Sequence, residues 1–166
     1  MDVIKVEGGH AITGEVTVEG AKNSALKLMA ATIMAPGVTT LKNVPNIADV
    51  HVMGKVLKRL GATIDVLDKH TLVIDTTNVD KWETPYELVA QMRASTAVLG
   101  PLISRFGKAV VAMPGGCNFG VRPIDQHIKG FQALGADVSV NYGMVTMTSQ
   151  ELKGEHIYFD VVSVGA

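Results

Sequence analysis

Cysteine is almost absent from this chain of 166 residues: Cys117 is the only one. An internal disulfide is therefore excluded, and no His/Cys cluster has the spacing of a zinc site. An excess of one charge is also missing. Lys and Arg total 15 against 16 Asp and Glu, for a formal net charge of -1. The basic residues are scattered, with no run of the kind that marks a nucleic-acid or membrane-surface protein. No apolar run approaches the roughly 20 residues that span a bilayer. The opening MDVIKVEGGH lacks the apolar centre of a signal peptide. A reducing, cytoplasmic setting is expected, with no nucleic acid, membrane or metal as partner. The hydrophobic fraction is 47%, and a domain of this length buries roughly 68–70% of the surface its unfolded chain exposes.

The chain repeats itself. AKNSALKLMAATIMAPG (21–37) reads as an apolar helix ended by Pro-Gly, and VTTLKNVP (38–45) as a β-branched strand. ADVHVMGKVLKRLG (48–61) carries Val52, Val56, Leu57 and Leu60 at helical spacing before Gly61. ATIDVLDKHTLVIDT (62–76) predicts a hairpin turning at Asp68-Lys69. The same order returns. QMRASTAVLGPLISRFG (91–107) is a helix ending in glycine, with Pro85 marking an earlier start and a break near Arg93. KAVVAMP (108–114) is a strand, and RPIDQHIKGFQALG (122–135) a helix with Pro123 at N1. ADVSVNYGMVTMT (136–148) is a hairpin turning at Asn141-Tyr142-Gly143. LGAT (60–63) matches LGAD (134–137), and NVP (43–45) matches AMP (112–114). The unit is helix–strand–helix–strand–strand, written twice, over about 21–77 and 85–150. GEHIYFD (154–160) predicts one more strand, and SVGA (163–166) falls in register with KNSA and RAST as the first turn of a third helix. On this reading the sequence is a fragment of a longer protein.

The three equivalent helix starts carry Lys22-Asn23-Ser24, Arg93-Ala94-Ser95-Thr96 and Ser163-Val164-Gly165. Packed around a pseudo-axis, they would present free N–H groups and partial positive charge to an anion, each contributing on the order of 1 kcal/mol. The plainer reading makes these polar residues helix caps. Lys22 and Arg93 at positive helix ends weigh against it, because a cation there is electrostatically misplaced unless an anion offsets it.

Cys117 sits in PGGCNFGVRP (114–123). A lone cysteine is ordinarily a small buried hydrophobe. Yet Gly115, Gly116 and Gly120 make a poor core segment and permit backbone conformations that a loop uses. A thiol with pKa near ~8.5 is mostly protonated at neutral pH and can act as a general acid. Arg122 lowers that pKa, and a bound dianion raises it. Asp125 is either a first-turn carboxylate or an acceptor for a ligand, and His127, with no visible partner, is assigned no catalytic role.

GAKNSAL (20–26), MRAST (92–96), PGGCNFGVRPIDQH (114–127) and VSVGA (162–166) together resemble the UDP-N-acetylglucosamine enolpyruvyl transferase (1-carboxyvinyltransferase) family, in the expected order along the whole chain. KN alone is a weak signal, whereas PGGC followed by RP.D.H is highly specific. The resemblance implies an α/β fold: an inside-out α/β barrel built from repeated helix–strand–helix–strand–strand units, incomplete in this chain. It implies that residues 1–20 pack with a second domain outside this sequence. Residues 21–166 would then hold two complete units and the start of a third.

The implied activity moves enolpyruvate from phosphoenolpyruvate to the 3′-hydroxyl of UDP-N-acetylglucosamine and releases phosphate, the first committed step of peptidoglycan synthesis. No cofactor is implied. The partners are the two small-molecule substrates and the remaining, C-terminal part of the same chain. Matched residue by residue, Lys22, Asn23 and Arg122 hold phosphoenolpyruvate. Cys117 is the proton donor and the residue that fosfomycin alkylates. Arg93, Arg122, Pro123, Ile124, Asp125 and Gln126 contact UDP-N-acetylglucosamine, as do Val161, Val162, Ser163, Val164 and Gly165. Some relatives have lysine where this chain has Val161, which leaves backbone contacts at that position. The base for the sugar hydroxyl is expected outside this sequence, so residues 1–166 alone are expected to be catalytically silent. Competing readings are the shikimate-pathway enolpyruvyl transferase, which lacks the cysteine loop, a non-catalytic sugar-nucleotide-binding paralogue, and an unrelated thiol enzyme with a histidine base.

Overall fold

A computed structural model describes residues 3–84, 86–89, 93–113 and 124–162. Helix α1 (Lys22–Ala31) runs into a 3-10 turn (Thr32–Met34), followed by β1 (Val38–Leu41), α2 (Ala48–Leu60), β2 (Thr63–Asp68) and β3 (Thr71–Asp75). After α3 (Tyr86–Val89) and a 3-10 segment (Arg93–Val98) come α4 (Leu99–Phe106), β4 (Lys108–Ala112), α5 (Asp125–Ala133), β5 (Asp137–Asn141) and β6 (Met144–Thr148). Each round of the repeat closes its own antiparallel sheet, in the order β1-β3-β2 and then β4-β6-β5. The registers correspond: Val38 opposes Asp75 as Lys108 opposes Thr148. None of the described helices is long and apolar enough to cross a membrane.

The buried faces follow the apolar spacing. Ala25, Leu26, Met29 and Ala30 form the inner face of α1, and Val50, Met53, Val56, Leu57 and Leu60 that of α2. In β3 the alternation buries Leu72 and Ile74, and in β6 it buries Val145 and Met147. These side chains belong to one continuous core shared by both rounds.

The matching LGAT and LGAD have one physical cause. Gly61 (φ 113) and Gly135 (φ 95) both lie in the left-handed region. The Gly61 N–H donates to the Lys58 carbonyl and the Ala62 N–H to that of Leu57; the Gly135 and Ala136 N–H groups do the same to Gln132 and Phe131. Both helices thus end in the same paired-carbonyl cap, which requires glycine at the turn. At Gly61 a side chain would also meet the Asn78 carbonyl at 2.8 Å.

Five expectations need correction. The first hairpin turns at Lys69-His70, one residue later than predicted, because Asp68 still pairs with Thr71 and its Oδ1 accepts the His70 N–H at 2.7 Å. The β1 strand stops at Leu41 instead of Pro45, since Asn43 takes a left-handed conformation (φ 55). Helix α5 begins at Asp125, with Ile124 as its cap, so N1 is Asp125 and not Pro123. Residues 154–160 form no strand. A strand needs a partner edge, and among the described residues no backbone hydrogen bond joins 154–159 to either sheet. The helix expected over 91–107 is a 3-10 segment up to Val98 and α-helical only from Leu99. Pro101 then sits in the first turn of α4, where its missing N–H costs no intrahelical bond.

Arg105 joins the two rounds, and nothing in its sequence setting announces it. From the last turn of α4 its Nη1 donates to the carbonyls of Ile33 (3.0 Å) and Thr76 (2.9 Å), and its Nη2 donates to that of Val79 (3.1 Å). Buried Thr76 adds a hydroxyl bond to the Thr32 carbonyl at 3.0 Å. Hydrogen bonds to a charged donor are worth about 1.5–3 kcal/mol each but are not additive, so Arg105→Ala is expected to destabilise the fold by about 2–4 kcal/mol. Arg105→Lys should recover only part, because an ammonium lacks the planar fork. Chemical denaturation reads both; a loss under 0.5 kcal/mol, roughly the range of an ordinary surface substitution, would remove this role.

Candidate functional site

Two groups of the predicted site residues lie within the described residues. The first is the start of α1. Its cap residue is Ala21, with no side-chain hydrogen bond to the helix, and its first turn contains no acid. The capping interpretation of Lys22, Asn23 and Ser24 therefore does not hold here: Lys22 is already N1. The entry to this turn is tight. The Gly20 N–H donates to Asn43 Oδ1 at 3.1 Å. A Cβ on Gly20 would lie 1.8 Å from the Asn43 carbonyl oxygen, so only glycine fits before the AKN turn.

Lys22 and Asn23 are exposed at the positive end of α1, where the first N–H groups have no intrahelical acceptor. Lys22 Nζ lies 3.0 Å from Asp49 Oδ2, in the first turn of α2. Both side chains remain accessible, at 54% and 37%, and the Asp49 carboxylate is itself an anion that offsets the Lys22 charge at this helix end. Asp49 was not foreseen as a site residue. Its place at the head of an amphipathic helix was readable, but its partner depends on how α1 packs against α2.

The second group is the start of α5 together with residues 160–162. Ile124 and Gln126 are buried, while Asp125 is exposed in the first turn. The Gln126 Oε1 accepts the Asp160 N–H at 3.1 Å, and its Nε2 donates to Asp160 Oδ2 and Asp125 Oδ2, each at 3.3 Å. Lys129 Nζ reaches Asp160 Oδ1 at 2.6 Å. The Lys129 ammonium, with the Gln126 amide, holds the Asp160 carboxyl below the ordinary carboxylate range. Val161 and Val162 follow with side chains in solvent, at 60% and 105% exposure. The structure thus brings Asp125 and Gln126 together with the segment leading into Val161 and Val162. Asp160 and Lys129 were missed by sequence reasoning, because no motif marks them.

Cys117, Arg122, Pro123, Ser163, Val164 and Gly165 lie outside the described residues. Arg93 opens the 3-10 segment that packs on α1, and its side chain also lies outside them. One open pocket of about 470 Å³, lined by Arg59, Asp80, Lys81, Trp82, Glu83 and Thr84, contains none of the predicted residues. Its acids offset its bases, and Lys108 Nζ occupies a face of Trp82 at 3.4 Å from the ring centroid.

The helix–strand–helix–strand–strand unit, used twice, has a counterpart among solved enolpyruvyl transferases. The fold matches the crystal structure of the enolpyruvyl transferase NikO from Streptomyces tendae with a TM-score of 0.73 at 26% identity, over 88% of this chain and 32% of that one. The chain belongs to the EPSP synthase (3-phosphoshikimate 1-carboxyvinyltransferase) family, whose pattern matches residues 6–166. Within it, the chain is 45% identical over its whole length to UDP-N-acetylglucosamine 1-carboxyvinyltransferase 3 of Caldanaerobacter subterraneus, covering 40% of that protein. It is 50% identical, over 100% of the chain, to UDP-N-acetylglucosamine 1-carboxyvinyltransferase of Clostridium botulinum, again covering 40% of the relative. The chain spans about 40% of the length of these curated relatives.

Proposed function

We propose that this chain is part of an enzyme that transfers enolpyruvate from phosphoenolpyruvate to the 3′-hydroxyl of UDP-N-acetylglucosamine. The observation that carries this reading is identity of 45% and 50%, along the full chain, to proteins bearing that activity in their names. The PGGC…RP.D.H segment (114–127) supports it from the residues themselves.

In this proposal Cys117 donates a proton to C3 of phosphoenolpyruvate, and C2 gains cationic character. The sugar 3′-oxygen bonds to C2 as its own proton leaves to a base. Loss of a C3 proton and cleavage of the C2–O bond then release phosphate and restore the double bond. Lys22, Asn23 and Arg122 hold phosphoenolpyruvate. Arg93, the stretch from Arg122 to Gln126 and the turn from Val161 to Gly165 hold the sugar nucleotide. Gln126 enters through its place in the backbone, since its side chain is occupied by Asp160 and Asp125. The reading brings with it peptidoglycan synthesis, hence cell-wall growth, shape and division, a cytoplasmic setting and sensitivity to fosfomycin. No metal or organic cofactor takes part.

Residues 1–20 are proposed to pack against a second domain, and residues 21–166 to hold two complete units (about 21–77 and 85–150) and the start of a third. The N-terminal segment supports this: Val3, Ile4, Val6, Ile12, Val16 and Val18 are 82–97% exposed, an apolar series that nothing among the described residues covers.

The test is phosphate release by the full-length protein. Turnover with phosphoenolpyruvate that depends on UDP-N-acetylglucosamine is expected. Turnover with shikimate 3-phosphate instead would overturn the reading in favour of the other enolpyruvyl transfer. Binding of the sugar nucleotide without any turnover would make the protein a non-catalytic module.

A further inference from the structure

We propose that Asp160 is a positioning residue for the sugar-nucleotide site, latching the 160–162 turn to the first turn of α5 through Gln126 and Lys129. The inference rests on the site assignment above, and all of its residues are described.

The chain reaches this turn almost untethered. The Lys153 N–H donates to the Leu134 carbonyl at 2.9 Å. From there to residue 159 no backbone hydrogen bond among the described residues ties the chain to the rest, and the stretch is neither helix nor strand. The next connection is Asp160, and it is threefold. Its N–H donates to Gln126 Oε1 at 3.1 Å, its Oδ2 accepts from Gln126 Nε2 at 3.3 Å and its Oδ1 accepts from Lys129 Nζ at 2.6 Å.

The fastener is asymmetric. Gln126 is 7% exposed, and a buried amide that loses its partners pays its full desolvation cost. Its amide therefore favours the one arrangement in which Asp160 satisfies it. An exposed Lys129–Asp160 pair alone would be weak, but Gln126 already holds the carboxylate, so less freedom remains for the pair to lose. Val161 and Val162 offer no polar side chain and are highly exposed. Whatever they contribute to a ligand comes from backbone groups, whose position is set by the residue just before them. A displacement of about 1 Å in a positioning element is enough to cost binding or rate heavily.

In the full-length protein, Asp160→Ala is expected to raise the KM for UDP-N-acetylglucosamine about tenfold, the equivalent of one lost charged hydrogen bond. The KM for phosphoenolpyruvate should stay near its wild-type value, and the thermal midpoint should fall only slightly, because Gln126 keeps Asp125 and the residue-160 N–H as partners. Lys129→Ala should move the same parameter in the same direction by less. Asp160→Asn, which keeps an acceptor and the backbone N–H, should recover part of the loss. An unchanged nucleotide KM in both alanine variants would overturn the latch, as would an equal rise in both substrates' KM values or a large fall in the thermal midpoint. Hydrogen exchange at residues 160–162 reads the latch without any substrate: exchange should quicken in Asp160→Ala, and unchanged exchange overturns the proposal. If the wild-type protein does not turn over the two substrates, the functional reading fails, while the exchange result still decides the latch.

Discussion

Cys117→Ser in the full-length protein should lower turnover at saturating substrates by about 10²–10⁴-fold, the usual contribution of general acid catalysis. A thiol of ordinary pKa ~8.5 still carries its proton near neutral pH and gives it up readily. A serine hydroxyl is far too weak an acid for the same step. Cys117→Asp should retain measurable turnover, since a carboxyl can donate if a bound dianion raises its pKa. Arg122, five residues on in the sequence, would oppose that rise, so the aspartate variant should work best at lower pH than the wild type. Fosfomycin should form one adduct, at Cys117, visible by mass spectrometry. Wild-type rates in Cys117→Ser would sink the proton-donor role, as would an adduct elsewhere in active enzyme.

The second large effect is expected at Lys22. Lys22→Ala should lower kcat/KM for phosphoenolpyruvate by about tenfold to hundredfold, the equivalent of a charge-assisted hydrogen bond of about 1.5–3 kcal/mol. Thermal stability should hardly change. Lys22 is N1 of α1 and 54% exposed, away from the Ala25–Leu26–Met29–Ala30 face that builds the core. Its partner Asp49 is itself accessible, so removing the lysine leaves no buried charge behind. A loss of several kcal/mol in stability with unchanged phosphoenolpyruvate kinetics would instead make the Lys22–Asp49 pair a strut between α1 and α2.

Much of the fold was legible because it is written in local patterns. The helix over 48–61 needed only the apolar spacing from Val52 to Leu60 and a glycine to end it. The second hairpin needed only alternation around Asn141-Tyr142-Gly143, and Tyr142 (φ 52) and Gly143 (φ 75) adopt the positive φ values that a two-residue hairpin turn demands. Errors came where a distant group decided. Residues 154–160 alternate well enough to suggest a strand, yet β structure is completed only by a neighbouring edge. Pro123 is a plausible first helical residue, but the α5 boundary is set at Asp125, beside buried Gln126 and its partner 34 residues away.

The sequence by itself determined the repeated unit and the glycine caps of LGAT and LGAD, because each depends on neighbours within a few bonds. The tertiary structure alone decided which charges meet. Lys22 finds Asp49 only once α1 lies on α2, and Arg105 finds the Ile33 carbonyl 72 residues away only once α4 packs beside the 3-10 turn at Thr32–Met34. Gln126 became a fastener and not a free ligand group because burial requires an amide to be paired, and Asp160 is the residue that the fold brings to it.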